Sequence, residues 1–509
     1  MRLRLILGCP LGVVAGIGLS AHQYWGPLDY LGLRPALCLF AVNLVVGAAG
    51  GVLGGFIWGR RGIGRALLGV GVCAAVVVWW GHWNLRRDIN VVMLVSDAVR
   101  ADHVSAYGYH RETTPNWDAL ARGEGGMLFE TAIAQGTATM VGGPALMTGL
   151  YQCQTGYTDY DYVLPESVET LAEAVSRLGH TTYGIVSNPH LCGEKQFSQG
   201  FSTYEDALGW TESPSAALIA WDFARWYERQ APDRLFAFLF FIDTHAVYKG
   251  LPKDVHRFRP EYVDREWRPD ERASEEGAER EDLIALYDAA LFRVDWATGK
   301  ITSTLKQAGS LDRTLIVITS DHGEGFWEQG GAGHSSVPYD CAVRIPLIVR
   351  FPSPVRFPRI RPVAHVCQHP AAQVDVMPTV LRFVGAPVPT AALGEDLLPY
   401  VFGRKQANRD RGLLVEMVDA KRSHRAWRKG SYELIATEHS PDTQVELYDL
   451  EADPKEQENL AATRPDVVSS LREEMERDLG RAQAHALRPE HKDLTPEEQK
   501  RLKALGYLK

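Results

Sequence analysis

Apolar and polar positions divide the chain into parts of different character. The first 85 residues are rich in Leu, Val, Ala and Gly and hold three apolar stretches, residues 5–21, 35–58 and 66–83. Each is near the roughly 20 residues needed to cross a bilayer, and Tyr24, Trp25, Trp58, Trp79, Trp80 and Trp83 fall near their ends, as interfacial aromatics do. Beyond them, residues 89–95 form a β-branched run that reads as a buried strand ending at Ser96-Asp97. Similar runs at 183–186, 235–242 and 315–319 follow, the last two ending at Asp243 and Asp321, while 167–178 and 281–305 carry apolar residues at helical spacing. Strands alternating with helices predict an α/β fold, a mostly parallel sheet flanked by helices on both faces. Residues 253–280, rich in Pro, Arg, Glu and Asp, predict a long surface loop. From Leu413 onward, strand-like runs at 431–435 and 445–450 and an amphipathic helix around 466–482 predict a small C-terminal α+β subdomain. The expected division is a transmembrane region at 1–85, a catalytic domain at 86–412 and a C-terminal subdomain at 413–509.

Charge orients the expected spans. Arg2 and Arg4 precede the first stretch, and Arg60, Arg61 and Arg65 lie between the second and third, which predicts cytoplasmic placement for both clusters. Three spans then give an integral membrane protein whose catalytic domain lies on the extracytoplasmic side; Arg34, Arg86 and Arg87 oppose that orientation. Met1 to Arg4 before an apolar run also fits a signal peptide followed by two spans, and a buried helical hairpin is the third reading. The net charge of −9 argues against nucleic acid as a partner. Cys153, Cys192, Cys341 and Cys367 of the later chain show no zinc-type spacing, and an extracytoplasmic domain would allow one or two disulfides.

Ligands of parallel sheets bind beyond the carboxyl ends of the strands, where Asp97, Asp243 and Asp321 all fall. The densest local signal is Ser320-Asp321-His322-Gly323-Glu324-Gly325-Phe326, followed by Gly333-His334 and Val343-Arg344-Ile345-Pro346. Adjacent Asp and His at a strand end offer one carboxylate oxygen and one imidazole nitrogen to a single ion, and the following glycine lets the backbone turn closely around it.

With these flanks the sequence resembles the sulfatase branch of the alkaline-phosphatase superfamily. The likeness continues through Asp97-Ala98-Val99-Arg100-Ala101-Asp102-His103, Tyr107-Gly108-Tyr109, Thr113-Thr114-Pro115-Asn116-Trp117, Asp375-Val376-Met377-Pro378-Thr379 and Leu447-Tyr448-Asp449-Leu450. It implies one divalent metal ion (Mn, Mg, Ca or Zn) held by Asp97, Asp321 and His322, with Ala98 standing where the family's second acid is usual. Typical sulfatases carry Cys-x-Pro-Ser-Arg nine residues before Thr-Gly-x-Tyr, and the Cys becomes formylglycine. Here Thr148-Gly149-Leu150-Tyr151 is present, and nine residues back stands Thr139, with Val141, Gly142 and Gly143 at the Pro, Ser and basic positions. A Thr there resembles phosphoryl-transferring and phosphodiesterase relatives, whose hydroxyl both coordinates the metal and attacks phosphorus. Thr137 is a rival nucleophile, and a plain helix cap is the structural alternative for Thr139.

Phe241-Ile242-Asp243-Thr244-His245-Ala246-Val247-Tyr248 is similar to the family block whose His faces substrate. His245 and His334 are therefore expected to donate hydrogen bonds to the bound oxyanion or to protonate the departing alcohol. Asp243 and His245 stand two apart rather than the four of dinuclear relatives, which favours one metal over two. The resemblance thus predicts a membrane-anchored metalloenzyme that hydrolyses or transfers a phosphate-type ester through Thr139, with a lipid head group or a cell-surface glycan as substrate. The alternatives are a sulfuric ester hydrolase working without formylglycine and a catalytically inactive membrane scaffold.

Overall fold

The computed structural model describes residues 89–206, 214–246, 248, 250–263, 278–330, 332–334, 337–353, 360–419, 423–439, 442–496, 499, 500 and 503. Both large sheets lie in the compact unit formed by the described residues of 90–380 and 388–509.

The principal sheet has eight strands: β1 (Asn90–Ser96), β2 (Gly126–Phe129), β3 (Thr181–Val186), β4 (Thr203–Asp206), β5 (Leu235–Phe241), β6 (Thr314–Ser320), β7 (Leu347–Arg350) and β8 (Val366–Cys367). Their order is β8-β2-β7-β6-β1-β5-β3-β4. Strands β1, β5 and β6 are buried along their whole length, which is why they read as continuous apolar runs rather than alternating ones. The half from β6 to β4 is parallel, whereas β7 runs antiparallel to both β6 and β2.

Helices α1 (Pro115–Arg122), α2 (Thr139–Thr148), α3 (Leu171–Ser176), α4 (Ala216–Gln230), α5 (Pro252–Phe258) and α6 (Ala278–Gln307) belong to the same unit. Val92, Leu94, Leu239 and Ile316 of the sheet join Phe223 and Trp226 of α4 and Leu291 and Val294 of α6 in one core. The expected surface loop at 253–280 is corrected in its first part, because α5 forms there. Pro252 sits at the first helical position, Asp254 lies in the first turn, His256 and Arg257 lie in the last, and Val255 is buried, an arrangement that suits the helix dipole. Residues 264–277 lie outside the described residues.

A second, antiparallel sheet of β9 (Leu413–Val418), β10 (Ser423–Lys429), β11 (Tyr432–His439) and β12 (Asp442–Asp449) packs on α7 (Pro465–Gln483) through Leu414, Trp427, Leu434, Leu447, Leu471 and Met475. Gln135 ties the two sheets together. Its side chain donates to the Leu414 carbonyl and accepts from the Val374 N–H, and its main-chain carbonyl accepts from the Glu416 N–H.

The expectation of an integral membrane protein with an extracytoplasmic domain is corrected. Among the described residues no helix is long and apolar enough to cross a membrane, and residues 1–85, on which that expectation rests, lie outside them. Cys153, Cys192, Cys341 and Cys367 are all free, so none of the envisaged disulfides joins them.

Candidate active site

Strand register decides which aspartates meet. Ser96 pairs with Ser320 on one side and with Phe241 on the other, so Asp97 and Asp321 follow at the same level on neighbouring strands, about 4.8 Å apart along the sheet. Asp243 comes two residues after Phe241 and is therefore one residue out of step, which turns its side chain away. It instead accepts the Ala216 N–H at 2.7 Å and lies 4.0 Å from Arg293. The structure thus separates Asp243 from the other two strand-end acids.

Each remaining carboxylate has one oxygen satisfied and one bare. Asp97 Oδ2 accepts from Asn188 Nδ2 at 2.8 Å, and Asp321 Oδ1 accepts from the N–H groups of Ala98 and His322 at 3.0 and 2.9 Å. The Nδ1 of His322 lies 2.7 Å from the Gly323 carbonyl; a carbonyl only accepts, so Nδ1 holds the proton and Nε2 presents a lone pair. That Nε2 lies 3.6 Å from both Asp97 Oδ1 and Asp321 Oδ2, and all three atoms are buried without a hydrogen-bond partner. Three lone pairs facing one another in a dry site repel unless a cation lies among them. One carboxylate oxygen from each Asp and one imidazole nitrogen, within 4.8 Å of one another, form the one group of this kind among the described residues able to hold a metal ion. The donor set fits a divalent ion.

Protonation states reflect the same crowding. Burial, and after it the Asp321 charge, hold the Asp97 carboxyl well above the usual carboxylate range; burial lifts Asp321 to about 6. Burial also pulls His322 down to about 3, keeping its ring neutral. The backbone carries strain here, because Ala98 adopts φ 57°, a left-handed conformation that costs a non-glycine residue about 1–2 kcal/mol. It aims the Ala98 N–H at Asp321.

Thr139 is the first residue of α2, with Ala138 at the N-cap, so it does not itself take the cap position. Its Oγ1 accepts from Asn188 Nδ2 at 3.1 Å, and its hydroxyl stands near enough to Asp321 to favour that carboxyl's charged form. The orientation of Asn188 is itself fixed, for its Oδ1 accepts the His190 N–H at 2.9 Å. Close approach of α2 to the strand end requires Gly142, where a Cβ would stand 2.0 Å from the Asp321 carbonyl oxygen. At Gly143, where the family's basic residue would stand, a Cβ would meet the Leu191 side chain at 2.7 Å.

Three more histidines surround the group. The His334 ring lies 4.5 Å from that of His322 and 4.8 Å from that of His245. His334 Nδ1 sits 3.3 Å from Glu324 Oε1, and Tyr248 donates to the other oxygen of Glu324. Burial works against the charged His334 ring, but Glu324 outweighs it and the pKa is raised. His245, whose Nδ1 donates to the Ala246 carbonyl, is lowered by burial and then by His334. His190 is held down at about 3 by burial, and Tyr157 contacts its Nδ1 at 3.1 Å.

Asn188 and His190 escaped the sequence reading. Both follow β3, so the rule that ligands gather beyond parallel strands, applied to the run at 183–186, would have pointed to them. Much of the opening block is structural instead. Arg100 pairs with Asp102 and Glu328, His103 with Asp288, and Tyr107 accepts the Leu347 N–H.

The family model described as Sulfatase matches residues 89–386, more than half of the chain. The chain belongs to the sulfatase family. A second model, N-sulphoglucosamine sulphohydrolase, C-terminal, matches residues 335–484 of this sulfatase-family protein. Among curated relatives, it is 32% identical to steryl-sulfatase of Rattus norvegicus over 29% of its own length and 27% of the relative's. It is 29% identical to arylsulfatase K of Bos taurus over 38% and 36%. The matched stretch thus spans about a third of these two relatives. With N-acetylglucosamine-6-O-sulfatase of Bacteroides thetaiotaomicron the identity is 22% over 73% of this chain and 82% of the relative. Two solved structures share the α/β sulfatase fold. One, determined with its substrate D-glucosamine-2-N,6-O-disulfate, has TM-score 0.66 at 18% identity, covering 78% of this chain and 98% of the other. The other, phosphonate monoester hydrolase of Agrobacterium radiobacter, has TM-score 0.62 at 21% identity, covering 80% and 100%.

Proposed function

We propose that the protein hydrolyses or transfers a phosphate-type ester, with Thr139 as nucleophile and a divalent ion held by Asp97, Asp321, His322 and the Thr139 oxygen. The convergence of three buried, partnerless ligand atoms beside a hydroxyl held by the Asn188 amide carries this reading. The ion supplies charge neutralisation at the ester oxygens and a more acidic hydroxyl. Asn188 holds the Thr139 oxygen in place, and the hydroxyl proton passes to the neighbouring Asp321 carboxylate. The Thr139 oxygen bonds to phosphorus as the bond to the alcohol oxygen breaks, and the alcohol takes a proton from His334, which Glu324 orients. His245, a neutral ring whose proton is committed to the Ala246 carbonyl, has no N–H left for the oxyanion and takes no part in this step. Water or a second alcohol then takes the phosphoryl group from Thr139 and restores the hydroxyl. Residues 86–412 supply this machinery, and 413–509 complete the fold around it through Gln135.

A sulfuric ester hydrolase working without formylglycine is the second reading, favoured by the names of the curated relatives, one of which acts on a sugar sulfate. A sugar ester suits either reading. An inactive scaffold is separated from both by metal content, since a scaffold need not retain the ion. The deciding experiment assays Thr139→Ala on aryl phosphate monoesters, aryl phosphate diesters and aryl sulfates. Loss of turnover with the metal retained supports the nucleophile assignment, and undiminished turnover overturns it. The preferred ester chooses between phosphate and sulfate.

A further inference from the structure

A second polar cavity, of about 400 Å³, opens between the edge of the principal sheet and the β10–β11 turn. None of the residues gathered around the metal group lines it. Its floor comes from Glu130 and Thr131, directly after β2, and Gln368, directly after β8, so it too lies beyond carboxyl ends of strands. Strand β2 is separated from β6 only by β7, so the cavity sits two to three strand widths from Asp321, about 10–14 Å along the sheet.

Its cations differ in how they are satisfied. Arg411 is saturated by Asp375, the Pro370 carbonyl and Glu395, and Arg428 is paired with Asp340 and Glu433. Arg409 reaches Glu130 at 3.6 Å from an exposed position. Arg344 is the exception: half-buried, it makes no ion pair among the described residues, and its guanidinium has a single long contact, 3.5 Å to the Glu130 carbonyl. Its main chain is nonetheless fixed, since its carbonyl accepts the Ala101 N–H and it bridges to Ile133. A half-buried guanidinium that makes no ion pair, and whose Nε is buried without a hydrogen-bond partner, is available to an anion entering the cavity.

From this geometry we infer that the cavity is an accessory site for a singly charged tetrahedral oxyanion, a sulfate monoester or phosphodiester group, anchored by the fork of Arg344. Arg409 provides a second cation, and the Thr131 and Ser431 hydroxyls with the Gln368 amide are neutral donors lining the same space. Glu130 and Glu451 share the wall and offset the charge of Arg344 and Arg409, so one further negative charge is tolerated better than two. At this spacing the group recognised can be a second anionic substituent of the substrate whose ester reacts at Thr139. That use rests on the proposed function; binding by the cavity does not.

Calorimetric titration of the full chain with methyl sulfate, dimethyl phosphate and inorganic phosphate, at matched ionic strength, tests the site. Saturable binding of both monoanions, weakened about tenfold or more by Arg344→Gln and kept by Asp321→Ala, is expected. Inorganic phosphate binds more weakly. Ser431→Asp, which places a carboxylate at the turn, gives the same loss should Arg344→Gln fail to fold by circular dichroism. Binding unchanged in both variants, binding abolished only by Asp321→Ala, or phosphate binding as tightly as the monoanions would each overturn the inference. Inactive Thr139→Ala protein that still binds methyl sulfate through Arg344 would leave the cavity standing apart from the reaction.

Discussion

Gly142→Ala is the sharpest test of how the proposed nucleophile, Thr139, is placed. The new methyl would stand 2.0 Å from the Asp321 carbonyl oxygen and 2.7 Å from its carbon, and both are main-chain atoms at the end of a buried strand. Neither can rotate away, so α2 must withdraw by about 1 Å even to relieve the direct overlap. Thr139 lies one turn earlier on the same helix and is carried with it, lengthening its contacts to Asn188 and Asp321. A misplacement of about 1 Å costs on the order of 100-fold in rate, or about 2.7 kcal/mol of activation free energy. Overpacking adds about 1–3 kcal/mol of lost stability. The assay is kcat and KM on an aryl ester, with circular dichroism and metal content from the same preparation; kcat should fall with KM little changed. Gly143→Ala is the control, because its methyl meets the ends of the Leu191 side chain, which can turn aside, and a loss below about tenfold is expected. A Gly142→Ala enzyme within about threefold of the parent kcat, or equal damage from both variants, would refute the reasoning.

Further outcomes follow from the buried charges. Asp97→Asn should be more stable than the parent after chelation, because it removes one of two facing carboxylates, and less stable once metal is restored; thermal melts with and without chelator that keep one order throughout contradict this. Glu456 is buried, and burial together with Glu433 and Asp340 raises its carboxyl to about 10. A raised folded pKa gives stability that is complete below the unfolded value and lost as pH rises toward the folded one. Glu456→Gln should therefore melt above the parent at about pH 8.5, with the gap closing near pH 5; an equal gap at both would count against it. Asn188→Ala should reduce both turnover and metal retention, since its amide holds Asp97 and Thr139 together. Turnover lost with metal fully retained would limit its role to Thr139.

The buried parallel strands were legible because continuous apolar runs leave few other readings at that length. β1, β5 and β6 begin and end within a residue or two of their expected limits. The edge strands β2, β7 and β8 are short and lack such a run, so the antiparallel reversal at β7 was not foreseen. Within the site, a strand-end position was visible in the sequence but its facing direction was not. Asp97 and Asp321 meet and Asp243 turns away because of a one-residue register difference that no local pattern records. Thr139 emerged only from its distance to Thr148-Gly149-Leu150-Tyr151, a family spacing rather than a physical signal. Asn188 carried no charge to draw notice, although it holds both a ligand carboxylate and the hydroxyl.

The paired amides of Gln135 and Gln373 bear on how this chain can be recombined. Gln373 Nε2 grips the carbonyls of Ser320 and Asp321 while its oxygen takes the Gln135 N–H, and Gln135 in turn grips Leu414. A chimera that exchanged the segment from Leu413 onward with that of a relative would inherit its own apolar packing yet keep a docking point written in residues 135 and 373. Grafts that transplant those two glutamines with the acceptor strand should retain the geometry at Asp321, whereas grafts divided between them would cut the span connecting the distal sheet to the ligand group.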